Sequence, residues 1–192
     1  MLWPDAEGDL AHKSFEMTLS RLRRLLGGNG FIKSSAKQLG IDPLHCWVDS
    51  FVLDRVLEKT RKVPANQVAH LCEKAFSLHK GPFLPADTSL HWALSRREAL
   101  KNGLLRATLA AGRYYEDSGQ WERAAECYLQ GLDTDNVAEE LYQRLMVCYN
   151  KLGNRTTAVK TYNRCRAILQ AEFGLEPSTR TEAIYSSIVE RP

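Results

Sequence analysis

No two cysteines in this 192-residue chain are spaced as CxxC, and none of the five (Cys46, Cys72, Cys127, Cys148, Cys165) lies in a Cys/His cluster with zinc spacing. The signature of a structural metal module is therefore missing, and scattered thiols of odd number read as small core residues of a reducing compartment. No apolar run approaches the roughly 20 residues of a membrane-spanning helix. Asp5, Glu7 and Asp9 stand where a secretory signal would carry positive charge and an apolar core. These absences imply a cytoplasmic protein without a membrane partner.

Catalytic signatures are missing as well. His12, His45, His70, His79 and His91 are dispersed, with no HExxH, GxSxG or HxE…CxxC arrangement, and no GxxxxGK[ST] phosphate loop occurs. The "GGNG" of residues 27–30 follows a helical pattern instead of a strand and opens no helix, so it reads as a turn. His91 beside Trp92 reads as a packing pair at a helix start. The sequence assigns no catalytic, metal-ligating or cofactor-binding residue, and the expected class is not an enzyme.

What the chain does hold is unevenly placed. Its formal net charge is only +3, yet six basic residues (Lys13, Arg21, Arg23, Arg24, Lys33, Lys37) face one acid, Glu16, between Ala11 and Gly40. A concentrated basic patch is the footprint of phosphate-backbone contact; a solvated helix face is the other reading. Asp9 is positioned to cap a helix beginning near Ala11, which Gly27-Gly28 ends. At 100° per residue, Ala11, Leu19, Leu22 and Leu26 fall within about 40° of Phe15. That stripe is the expected buried face. Lys13, Met17, Ser20, Arg21 and Arg24 lie opposite. Next, Phe31-Ile32 and Leu39-Gly40-Ile41 flank a polar stretch, which predicts a β-hairpin with Lys33 and Lys37 near its tip. Asp42-Pro43 predicts a turn, and Cys46–Val48 a last short strand. A basic helix followed by a lysine-bearing hairpin is the order of parts in a winged helix, whose helix enters the major groove while its wing touches the backbone.

From Val48 onward strand signals vanish. "SFVLDRVLEK" and "ANQVAHLCEKAFSL" predict two amphipathic helices, and a proline-rich turn "KGPFLP" precedes a long helix from about Leu90 to Asp117. Tyr115/Tyr149, Gly119/Gly153, Ala124/Ala158 and Tyr128/Tyr162 are each 34 residues apart. That is the period of the tetratricopeptide repeat, a helix–turn–helix unit. Ala124 and Ala158, with Gly131 and Cys165 as a second small pair, predict close helix approach. The tyrosines fill the space between helices and keep a hydroxyl for the edge. The small residue expected early in the repeat is present as Gly112 but becomes Met146, and Asn136 stands where a proline is expected. The helix after Cys165 runs on to about Phe173, Gly174 breaks it, and a closing helix spans Thr179–Val189.

Two family resemblances attach to these motifs. "LWPDAEGD…FEMTLSRLRRLLG…GIDPLHCWVD" resembles the second half of an OmpR-type winged-helix DNA-binding domain, as in the Streptomyces antibiotic regulatory protein (AfsR-like) family. "KGPFLP", Trp92, "GQWERAAECYLQGL", "AEELYQRLMVCYNKLG", "AVKTYNRCRAILQAEFGLEPS" and "TEAIYSSI" resemble the bacterial transcriptional activator domain, which follows such a winged helix in that family. The wording is also similar to that of large regulators of the MalT type, in which an NTP-binding signalling segment precedes the pair.

The resemblance implies residues 1–47 as the C-terminal part of a winged helix whose first strands and helices precede Leu2. Residues 48–192 follow as a mainly α, tetratricopeptide-like array of about seven helices. It implies a transcriptional activator that contacts double-stranded promoter DNA through Lys13, Met17, Ser20, Arg21 and Arg24, with Lys33 and Lys37 on the wing. RNA polymerase or another regulatory domain is the implied protein partner, and a dimer the implied assembly. The rival reading is a tetratricopeptide adaptor without DNA binding, its basic helix only a packing element.

Overall fold

The computed structural model describes residues 8–35, 38–86 and 90–190. The chain divides into two compact units, residues 1–48 and 49–192.

The first unit opens with α1 (Gly8–Leu25). The helix begins earlier than the Asp9 signal suggests, and Asp9 lies in its first turn, where a carboxylate complements the helix dipole. Gly27, at φ 86°, ends it: the Gly28 amide donates to the Arg23 carbonyl and the Gly27 amide to that of Arg24. This is a Schellman closure. A single 3₁₀ turn at Asn29–Phe31 leads into β1 (Ile32–Ser35), which pairs antiparallel with β2 (Gln38–Ile41) in the register Ile32↔Ile41 to Ser35↔Gln38. The Asp42 amide extends the ladder to the Phe31 carbonyl at 2.9 Å.

Cys46–Val48 is not a strand. The Asp42 carbonyl accepts from the amides of His45 (3.1 Å) and Cys46 (2.9 Å), and its Oδ1 accepts from Leu44 (3.0 Å). The turn thus occupies the Cys46 amide that a strand would use, and the next helix starts three residues later, at Asp49.

The second unit is all helical: α2 (Asp49–Thr60), α3 (Ala65–Leu78), α4 (His91–Asp117), α5 (Trp121–Thr134), α6 (Glu139–Lys151), α7 (Arg155–Phe173) and α8 (Thr179–Val189). Each helix packs on the next, with further contacts of α2 on α4 and α6 on α8. One core runs through α2–α7, and a smaller one joins Met146, Ala158, Tyr162 and Ile188 across α6, α7 and α8.

The 34-residue period is visible as repeated geometry. Gly119 (φ 70°) and Gly153 (φ 75°) both end helices in the left-handed region that a side chain disfavours. The amides following them, Gln120 and Asn154, donate to the carbonyls of Tyr115 and Tyr149. Ala124, Ala158 and Cys165 are fully buried. Gly131 allows the close approach of Thr108 and Leu141, each 2.8 Å from where its Cβ would be. Tyr128 and Tyr162 donate their hydroxyls at 2.6 Å to Glu116 and Glu182 respectively, though Tyr128 is fully buried and does not reach the edge as expected. Four of the five cysteines are buried, and desolvation pushes the Cys148 and Cys165 thiols up to about 12. Such thiols stay protonated and act as packing groups.

Ion pairs fasten the helices. Arg96 of α4 bonds Asp54 and the Ser50 carbonyl of α2. Arg144 of α6 meets Glu116 of α4 at 3.1 Å, the carboxylate that also receives Tyr128. At the far end Glu139 accepts from the Ser178 amide at 2.7 Å and from the Thr181 hydroxyl, tying the start of α8 to α6.

Candidate functional site

The amphipathicity of α1 sets which side chains it offers. Measured from Lys13, positions 17, 20, 21 and 24 fall within an arc of about 100°, and Lys13, Met17, Ser20, Arg21 and Arg24 are all exposed. From Lys13 to Arg24 the face is about 16 Å long at 1.5 Å per residue. That length matches roughly five base pairs, and a helix of 10–12 Å diameter fits a major groove about 12 Å wide. No acidic side chain lies on this arc: Asp9 falls about 20° and Glu16 about 40° outside its edge. Met17, 60% exposed, sits at its centre.

Arg23 is not part of this face. It is half-buried, and its Nε is buried with no hydrogen-bond partner among the described residues. The opposite stripe is only partly covered. Leu19 is buried and Ala11 and Phe15 are half-buried, but Leu22 and Leu26 are 43% and 42% exposed. The expected buried stripe is therefore corrected to its central part. A helical wheel gives direction, not cover, and the C-terminal third of α1 is covered only in part.

Lys33 lies on β1 opposite Gly40, toward the base of the hairpin and not near its tip as expected; it is exposed, with its Nζ 3.1 Å from Asp42 Oδ2. Lys37 lies outside the described residues. Asp42, which the sequence did not single out, organises the base of the hairpin. Its carboxylate accepts from the Leu44 amide and also meets Lys33 and, at 3.2 Å, His45 Nδ1. The Leu44 amide above all, aided by Lys33 and His45, holds this carboxyl below its ordinary range. The Asp-Pro pair marked the turn, but the pairing of Lys33 with Asp42, nine residues on, depends on hairpin register.

In the second unit, His91 and Trp92 both stand exposed at the start of α4. Trp92 packs edge-on against Phe83 at 5.8 Å while its own surface stays 59% exposed. Elsewhere Arg123 lies over the Tyr115 ring at 4.4 Å and Lys151 over Trp121 at 5.8 Å. Among the described residues no group of three or more His, Cys, Asp or Glu is placed to hold a metal ion, and no helix is long and apolar enough to cross a membrane. What the geometry offers is recognition: a cationic helix face on one unit and a helical array on the other.

Comparison with known proteins bears on the array. The bacterial transcriptional activator domain family matches residues 48–189, nearly the whole helical unit. No curated protein matches the sequence.

Proposed function

Because the chain belongs to the bacterial transcriptional activator domain family, a regulatory and not an enzymatic family, we propose that it works as part of a promoter-binding transcriptional activator. In this reading α1 is the helix that enters the major groove and β1–β2 is the wing of a winged helix. The observation that carries the proposal is the outward face of α1, where Lys13, Arg21 and Arg24 stand exposed and no acid shares the arc.

The chemistry gives each residue a distinct task. Arg21 and Arg24 carry planar guanidinium forks, which pair bidentately with guanine O6 and N7 or with phosphate. Lys13, at the other end of the face, supplies a point charge for the backbone. Met17 offers an apolar surface to a thymine methyl, and the Ser20 hydroxyl can donate to or accept from a base edge. Lys33, matched by Asp42, contributes less to the electrostatic footprint than its exposure alone suggests; Lys37 adds a further wing charge. The helical array carries the protein contacts of the regulator, with RNA polymerase or another regulatory domain as the partner class.

An electrophoretic shift of the full regulator on the promoter of its own operon tests the reading. A sequence-specific complex, displaced by excess unlabelled promoter and not by random duplex, is the expected result. Absence of any shift, or equal displacement by random duplex, would leave the adaptor reading in its place.

A further inference from the structure

The helical unit contains a feature away from the basic helix of the first unit. The link between α3 and α4 is held in an unusual form, with cavities on both of its sides. Leu84 adopts φ 47°, the left-handed region that costs a non-glycine residue free energy and persists only where surroundings enforce it. Arg97 of α4 enforces it, donating its Nε to the Phe83 carbonyl at 2.6 Å and its Nη2 to the Leu84 carbonyl. On one side lies a cavity of about 330 Å³, lined by Ser50, Leu53, His79, Pro82, Phe83 and Leu100, among others. A second, of about 290 Å³, shares His79, Pro82, Phe83 and Leu100 and lies toward Arg97 and Lys101.

The larger cavity reaches the lower end of the size range of small-molecule sites, roughly 300–1,000 Å³, and has their composition, mainly apolar walls with a few polar groups. Two of those polar groups are unused. The Ser50 hydroxyl, on a buried residue, makes no hydrogen bond among the described residues, and neither does the half-buried imidazole of His79. Burial lowers the His79 pKa, so its ring is neutral near pH 7 and offers one donor and one acceptor. Asp49 and Lys80 at the exposed rim carry opposite charges, so the site favours neither sign.

We propose that this cavity binds an uncharged, largely apolar small molecule of one or two rings, oriented by hydrogen bonds to Ser50 and His79. Ser50 lies in the first turn of α2, which starts directly after the first unit ends at Val48. The site stands independently of the DNA reading, because its residues all belong to the helical unit.

The test uses the full chain and N-phenyl-1-naphthylamine, an uncharged two-ring fluorophore whose emission rises in apolar surroundings. Saturable binding of one probe per chain is expected. Ser50→Phe, which fills the cavity, and His79→Phe, which removes the polar group without loss of ring volume, should each weaken binding at least tenfold. Gln130→Phe, beside a separate cavity of about 130 Å³, should leave it unchanged. Backbone amide shifts on adding probe report the location even if a variant fails to fold, and should centre on Asp49–Leu53 and Leu78–Leu84. Unsaturable binding, equal affinity in all variants, or shifts centred elsewhere would overturn the proposal.

Discussion

The Tyr128 ring lies so close over Gly112 that a Cβ added to the glycine would sit 2.2 Å from it. Thirty-four residues later the same pair is Met146 and Tyr162. At this second position Met146 is fully buried and shares the smaller core with Tyr162. Tyr162 stacks on Tyr185 of α8 at 4.0 Å and gives its hydroxyl to Glu182. The buried cluster of Met146, Ala158, Tyr162 and Ile188 thus joins the Glu139 bonds to Ser178 and Thr181 in closing the array onto its last helix.

Gly112→Ala follows from that contact. Alanine is worth about 1 kcal/mol over glycine in a helix interior, but overpacking costs typically 1–3 kcal/mol. The ring cannot retreat cheaply, since Tyr128 is fully buried and hydrogen-bonded to Glu116. Overpacking should win, and a thermal melt should show Gly112→Ala less stable than wild type. A raised Tm would mean that the ring contact does not hold the glycine in place.

The repeat register makes a second claim. Ala124→Leu and Ala158→Leu force methylenes into fully buried positions and should each destabilise by about 1–3 kcal/mol, with damage spreading to the neighbouring helix pair. Gln130→Leu, at an exposed position, should change stability by no more than about 0.5 kcal/mol. Urea unfolding curves compare the three, and equal midpoints would refute the register.

In α1 the structure separates two leucines that the wheel treats alike. Leu19→Ala removes a buried side chain and should cost about 2–5 kcal/mol, enough to strip the α1 amides of exchange protection. Leu22→Ala acts on a side chain 43% exposed and should cost under about 1 kcal/mol. Hydrogen exchange on the two variants decides it, and equal loss of protection would show the stripe to be covered along its whole length.

Much of this architecture could be read from sequence because it depends on local periodicity. The bounds of α3 and α8 follow from apolar spacing and the end of α7 from Gly174, and the 34-residue offset located Ala124 and Ala158 in the core. What escaped depends on side chains meeting across the fold. Cys46–Val48 looked extended, but the Asp42 carbonyl binds the Cys46 amide. Leu22 and Leu26 looked buried, but direction on a wheel carries no information about what lies opposite. "KGPFLP" read only as a turn, since the Arg97 grip on Phe83 and Leu84 spans 14 residues. The outward set Lys13, Met17, Ser20, Arg21 and Arg24 rests on the wheel of α1 and on the winged-helix resemblance; the wheel places Arg23 apart from Arg21 and Arg24 without showing that its Nε is buried.

The hairpin should respond to acid through Asp42. Its carboxyl is held below the ordinary value of 3.8 in the folded state, so the folded state prefers the ionised form. That preference stabilises the hairpin fully above the ordinary value and is lost as pH falls through the lowered one. Asp42→Asn lacks it at every pH. Exchange protection of the β1–β2 amides should therefore differ between wild type and Asp42→Asn near neutrality and converge in strong acid; a constant difference would place the effect elsewhere.

The central claim is that the outward face of α1 meets DNA, and the salt dependence of binding measures it most directly. Arg21→Ala and Arg24→Ala in the full regulator should each leave stability within about 0.5 kcal/mol, because both side chains are exposed. In fluorescence anisotropy on promoter duplex, each should weaken binding by about 1–3 kcal/mol if the arginine reads a guanine. If it neutralises a phosphate instead, the slope of log K against log[salt] should fall by about one. Unchanged affinity and unchanged slope in both variants would contradict the account.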